Sequence, residues 1–279
     1  MKGYSTLSNH NHIMNIAARN NIKISSNEKQ PMVFAHGYGC DQNMWRFVAP
    51  AFEDEYRVVL FDHVGSGKSD QSAYNFEKYS SLQGYADDLI EICEYLNLRK
   101  VVFVGHSVSS IIGVLAEKSR PDLFDRLVLV GPSPCYINEL DYIGGFSRKD
   151  IDELVDTLES NYLGWSSFIT PVIIGNPDKP EYSEELKNSF CSMNPEIAKH
   201  FAKVTFLGDN RKDLAHVSSP TLIIQCHPDI IAPIQVGEYV HQQIPNSSLV
   251  VLKSPGHCPH LTDPDQVIES LKIFLRSSY

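Results

Sequence analysis

Six short apolar runs recur along this chain, and each stops at Gly, Asp, Ser or His: "PMVFAHG" (31–37), "RVVLFD" (57–62), "KVVFVGHS" (100–107), "RLVLVGPS" (126–133), "PTLIIQCH" (220–227) and "SLVVLKSPG" (248–256). A strand with one wet face alternates apolar and polar residues, whereas a strand covered on both faces reads as an unbroken apolar run. These runs are of the second kind, which constrains the chain to a mostly parallel sheet with helices on both sides. Helical patterns fill the gaps. Residues 81–98 set Leu82, Tyr85, Leu89, Ile92, Cys93 and Leu96 on one stripe, and 265–277 carries a similar stripe that would close the domain. The expected fold class is α/β, a doubly wound sheet.

The rhythm breaks between 135 and 207. "SRKDIDELVDTLESNY", "GWSSFITPVII", "YSEELKNSFCSM" and "NPEIAKHFAKVTFL" read as four successive helices, punctuated by Gly144-Gly145, Asn176-Pro177 and Asn194-Pro195. The expectation is a four-helix lid (135–207) inserted into one core (13–134 and 208–279), with a flexible tail over 1–12. At 279 residues and 42% hydrophobic, the chain has material for one sizeable domain with an insertion.

The formal net charge of −10 argues against a general affinity for nucleic acid or anionic membrane, both of which reward a basic face. Six cysteines occur without a C-x-x-C pair, which suits reduced thiols. The N-terminal stretch lacks the apolar run of a secretory signal, and no segment approaches the ~20 apolar residues that span a bilayer. The expected location is the cytoplasm.

One stretch, "DHVGSGKS" (62–69), imitates a phosphate-binding loop. Such a loop needs glycine six positions before the lysine, because successive backbone amides must turn toward the phosphates. Asp62 stands there instead, and a carboxylate would repel the phosphate. The stretch is expected to be a turn leaving the strand 57–62, with Lys68 a solvated charge.

The chemistry concentrates elsewhere. Gly105-His106-Ser107-Val108-Ser109 follows a strand and opens a helix, the setting of a nucleophile elbow whose strained turn projects a serine hydroxyl into a cleft. Ser109 occupies the fifth position, where close packing usually calls for glycine. A serine needs a base, and the base an orienting acid. In chain order after Ser107, Asp229 and His257 both sit in loops just beyond strand ends, where ligand sites of open α/β sheets form. His257 and His260, with Asp229 or His227, could also be read as metal ligands, but H-x-x-H without the glutamate of a zinc-protease helix is a weak signal. Cys258, beside the base, reads as packing. The loop "AHGYGCD" (35–41) follows the first core strand and supplies the place for an oxyanion donor, assigned to the backbone N–H of Tyr38 together with that of Val108.

At this point "HGYGCDQNMW", "FDHVGSGKSD", "GHSVSSIIG", "RPDLF", "VGPSPCYIN", "YIGGF", "NYLGW", "DIIAP" and "GHCPHL" together resemble the RsbQ group of α/β hydrolases, which includes a bacterial stress-response regulator and the plant karrikin and strigolactone receptors. The resemblance covers the chain from about residue 13. It implies an α/β-hydrolase fold and a Ser107–His257–Asp229 triad beneath the lid, with no cofactor and no metal. It also implies an apolar pocket for a small hydrophobic ligand, at positions Tyr38, Phe146, Trp165, Ile169, Phe206 and Ile230. By the same resemblance the partner would be a PAS-domain serine phosphatase acting on a stress sigma-factor pathway. His227-Pro228 before Asp229, and the polar residues of "GWSSFIT", depart from the expected pattern. Three functions compete: an esterase or lactonase for small apolar substrates, a ligand-sensing signalling protein, and a lyase or cofactor-free oxygenase on the same scaffold.

Overall fold

The computed structural model describes residues 16–277, so the tail expected over 1–12 lies outside the described residues. Seven strands form one sheet: β1 (Lys23–Ile24), β2 (Pro31–Ala35), β3 (Arg57–Leu60), β4 (Val101–His106), β5 (Phe124–Val130), β6 (Thr221–Cys226) and β7 (Ser247–Leu252). Their spatial order is β1-β3-β2-β4-β5-β6-β7, parallel throughout except for β1, which pairs antiparallel with β3. All six expected runs are strands. The two-residue β1 was not legible, because so short an edge segment has room for no periodicity.

The unbroken apolar runs resolve into two faces with the two-residue period of a strand. Val33, Ala35, Phe103, Leu127, Leu129 and Ile223 join one cluster, against α1 (Leu82–Tyr95) and α2 (Val108–Ser119). Met32, Phe34, Val102, Val104, Val128, Leu222 and Ile224 join the other, against Trp45, Phe52 and the Val267, Leu271 and Phe274 side chains of the C-terminal helix (Pro264–Arg276). Every residue of β2, β4 and β6 is buried, as a doubly covered sheet requires.

Between β5 and β6 stand four helices: α3 (Arg148–Ser160), α4 (Tyr162–Ile174), α5 (Pro180–Ser192) and α6 (Pro195–Leu207). Each starts on a readable signal. Ser147 and Asp150 make a reciprocal capping box on α3, Asn161 and Asn194 cap α4 and α6, and prolines open α5 and α6. Their apolar faces, with Ile151, Leu158, Trp165, Phe190 and Phe201, extend the first core cluster. Residues 135–146, expected within the lid, are non-helical loop and turn, with isolated bridges Cys135–Asp209, Ile137–Phe146 and Glu139–Tyr142. The sequence reading also passed over α7 (Ile234–Gln243), between β6 and β7, and the single turn α8 (Pro259–Thr262); the C-terminal helix is α9. Among the described residues no helix is long and apolar enough to cross a membrane.

The switch in winding direction falls between β2 and β4, which places the loops after those strands on either side of one crevice. A buried carboxylate braces this frame. Glu117 on α2 is fully buried, and its Oε1 accepts from the amides and hydroxyls of Ser218 and Ser219 (2.7–3.1 Å), just before β6. Glu117→Ala leaves those donors unpaired and is expected to cost about 1–3 kcal/mol in urea unfolding; a change below about 0.5 kcal/mol would show that the loop holds without it.

Candidate active site

Ser107 lies between β4 and α2 with φ 55° and ψ −121°, a backbone conformation L-residues rarely adopt. The turn is held by its neighbours: the Ser107 amide donates to Val130 O (2.8 Å), and the Ser110 hydroxyl donates to Gly105 O (2.9 Å). So fixed, the hydroxyl meets the other two candidates. Ser107 Oγ is 2.8 Å from His257 Nε2, and His257 Nδ1 is 2.7 Å from Asp229 Oδ2. A carboxylate can only accept, so Nδ1 carries the imidazole proton and Nε2 is free to accept from the serine. All three residues are buried.

Asp229 is anchored by its second oxygen, which accepts from the Ile231 and Ala232 amides (2.8 and 3.2 Å). The His227–Pro228 peptide preceding it is cis. His257 is held through its backbone too. Its amide donates to Ile173 O of α4 (2.8 Å), and its carbonyl accepts from His106 Nε2 (2.8 Å).

The two amides expected to stabilise an oxyanion stand at the start of α2 and in the loop after β2. Val108 opens α2, so its N–H has no intrahelical acceptor. Among the described residues no protein acceptor takes the Tyr38 amide either. The Tyr38 loop requires its glycines. Gly39 has φ +71°, and a Cβ there would run into the Phe190 ring; a Cβ at Gly37 would stand 2.6 Å from His106 Nδ1. The Tyr38 side chain leaves the loop for the insert, where its hydroxyl donates to Ala198 O (2.9 Å).

Ser109, the departure from glycine, has a structural task. Its hydroxyl donates to His36 O (2.5 Å) and therefore accepts from His63 Nε2 (2.7 Å). His36 in turn accepts from the His63 amide (3.1 Å) and bonds Gly37 O through Nδ1 (2.8 Å). Two buried histidines thus tie the loops after β2 and β3 to the elbow helix, and burial lowers both from the ordinary imidazole range. Sequence reasoning missed them, since isolated histidines in loops carry no signal. Asp62, in the imitation phosphate loop, is a turn organiser: it accepts from the amides of Gln42 and Lys68 (2.8 and 2.9 Å), while Lys68 is exposed.

The metal alternative finds no cluster. His260 is fully buried, its ring packed at a tilt between Trp45 and His106, while His227 is exposed. Among the described residues no group of three or more His, Cys, Asp or Glu side chains could hold an ion.

Ser107 and His257 open into a cavity of about 40 Å³ lined by Tyr38, Phe146, Ile169 and Phe206, together with Tyr136, Phe190, Ile231 and Cys258. A groove of about 360 Å³ adjoins it across shared Phe146, Leu154, Ile169 and Ile231. Two of the expected pocket residues lie off the inner cavity. Ile230 is 65% exposed and borders only the outer groove, because the turn capped by Asp229 sends Ile231 inward in its place. Trp165 also borders the outer groove, its ring packed on Phe190 and edge-on to Tyr38. Larger hollows of about 580 and 670 Å³ elsewhere on the surface share no residue with the inner cavity, and neither reaches Ser107.

A doubly wound, mostly parallel sheet, a strained serine between its central strand and a helix, and an Asp–His pair from the ends of the last two strands define the α/β-hydrolase class. The chain belongs to the alpha/beta hydrolase family, whose model matches residues 32–270. It is 42% identical over 252 residues to the Karrikin insensitive 2 receptor CA of Petunia hybrida, covering 90% of this chain and 93% of that one. It is 35% identical to the Strigolactone esterase D14 of Arabidopsis thaliana, covering 92% and 97%. Among solved structures, a hydrolase from Oleispira antarctica superposes with a TM-score of 0.93 at 42% identity, over 95% of this chain and 98% of that chain.

Burial pushes the His260 imidazole down to about 3. Such a histidine takes up its proton only in the unfolded chain once the pH drops below about 6.5. Its contribution to stability is therefore complete above that pH and is lost progressively as pH falls toward 3. The melting temperature is expected to decline between pH 7 and pH 5, and His260→Phe, which keeps a ring between Trp45 and His106, is expected to flatten that decline. An unchanged slope in the variant would contradict the assignment.

Proposed function

We propose that this chain is a serine hydrolase for a small, apolar ester or lactone. The observation that carries this reading is the continuous hydrogen-bonded line Asp229–His257–Ser107, at 2.7 and 2.8 Å, ending in an apolar cavity. His257 Nε2 takes the Ser107 proton as Oγ attacks the carbonyl carbon, and Asp229 stabilises the imidazolium that forms. The carbonyl oxygen, now negative, is met by the amides of Tyr38 and Val108. His257 then gives the proton to the departing oxygen, and a water repeats the sequence to release the acid.

The cavity selects for size and polarity. Its walls are mainly aromatic and aliphatic, and about 40 Å³ has room for only two or three waters, so a ligand must reach into the adjoining groove or displace the insert. The four-helix insert (α3–α6) acts in this reading as the lid, with the remainder as one hydrolase core. The names of the esterase and receptor relatives support ester chemistry on a small organic ligand.

A second reading makes signalling the output, with hydrolysis as its trigger. It is favoured by the receptor names among the relatives and by Leu163 and Phe168, apolar side chains exposed on α4, the second of them lining the groove, where a protein partner could cover them. The link to a PAS-domain phosphatase and to a stress sigma factor rests on the sequence resemblance alone.

Ser107→Ala is expected to lower turnover of p-nitrophenyl acetate by at least about 10³-fold with an unshifted melting temperature, and Asp229→Asn by about 10³–10⁴-fold through the wrong imidazole tautomer. Turnover that persists in Ser107→Ala would end the serine-hydrolase reading. An acylation burst without steady-state turnover in the unaltered protein would favour the signalling reading.

A further inference from the structure

The scheme above leaves idle one polar group in the cavity. Tyr136, in the segment after β5, is 2% exposed and lines the cavity with Ser107 and His257. Its ring packs on Phe206 with centroids 5.0 Å apart, and its carbonyl accepts from the Phe146 amide (3.1 Å), so the side chain is held in place. The other buried tyrosines have committed hydroxyls. Those of Tyr38, Tyr142 and Tyr162 donate to backbone carbonyls, Tyr79 donates to Asp88, and Tyr85 pairs with Tyr74. The Tyr136 side chain instead lines the same cavity as Ser107 and His257.

Strand order tells which part of a substrate it meets. β2, whose loop carries the Tyr38 amide, flanks β4 on one side; β5 flanks it on the other, followed by β6, whose loop carries Asp229. Tyr136 therefore stands across the nucleophile from the Tyr38 amide, on the flank of His257 and Asp229. That is the flank on which the departing oxygen collects its proton.

From this placement we propose that Tyr136 is a further catalytic residue, donating a hydrogen bond to the leaving-group oxygen while His257 protonates it. The inference rests on the hydrolase reading. As the carbon–oxygen bond breaks, its electron pair stays on the departing oxygen, the proton comes from His257 Nε2, and Tyr136 keeps its own. Burial pushes the Tyr136 hydroxyl up to about 12, so it remains a donor at any working pH. The contribution grows with the charge the departing oxygen must carry. It is small for p-nitrophenolate, which leaves unaided, and large for weakly acidic alcohols and enols, so Tyr136 widens the substrate range toward unactivated esters.

The test compares kcat/KM, which reports acylation, for acetate esters running from p-nitrophenol through phenol to trifluoroethanol, in the full-length protein and in Tyr136→Phe. The variant is expected to stay within about twofold for the p-nitrophenyl ester and to lose about tenfold or more for the poorest leaving group, the size of one ordinary hydrogen bond. Replacing Tyr136 by 3-fluorotyrosine, a stronger donor of the same shape, is expected to make the leaving-group dependence shallower than in the unaltered protein. An equal loss across the series, or none, would overturn the role of Tyr136 while leaving the hydrolase reading intact. Unaltered protein inert toward every ester would overturn both.

Discussion

One imidazole is bonded on every side, and the site depends on it. His257 reaches Asp229 through Nδ1 and Ser107 through Nε2; its amide binds Ile173 O, and its carbonyl accepts from His106. These four bonds gather the ends of β4 and β6, the loop after β7 and helix α4. The helical insert is thereby more than a cover, because it fixes the base directly and, through Ala198, holds the Tyr38 side chain of the loop assigned to the oxyanion. Displacing it would disturb the base and the oxyanion loop together, which gives ligand entry a structural route to the chemistry.

Low polarity makes this economy possible. Around the line of three residues, His36, His63, His106 and His260 are buried, and burial lowers each of them toward the neutral form. Neutral rings can pack like aromatics while their nitrogens bond backbone, as His106 and His36 do. In such surroundings the Asp229 carboxylate acts on His257 with little screening, and the two amides assigned to the oxyanion would gain in strength for the same reason.

Much of this was legible in the sequence, for identifiable reasons. The runs at 31–37, 100–107 and 220–227 are unbroken because both faces of their strands are buried, and burial leaves a compositional trace. Gly105-His106-Ser107 shows because a strained turn admits few residue types. What failed to show depends on tertiary contact. The direction of Ile230 against Ile231 is decided by the Asp229 carboxylate capping two amides, and Trp165 sits beyond Phe190 because α4 and α5 pack there. Ser109 looked like a blemish on the elbow until His36 and His63 were found on either side of its hydroxyl. Tyr136 lies within "VGPSPCYIN", but the stretch carries no chemical signal of its own; the folded cavity places the ring beside Ser107. The two-residue β1 is set by pairing with β3 and has no pattern of its own.

The central claim is that Ser107 is a nucleophile activated by His257. Treatment of the purified protein with a serine-directed phosphonate, followed by mass mapping of the adduct, tests it most directly. The account predicts a single adduct on Ser107 that is absent in His257→Ala. A folded protein that takes up no phosphonate, or one labelled equally with and without His257, would contradict it.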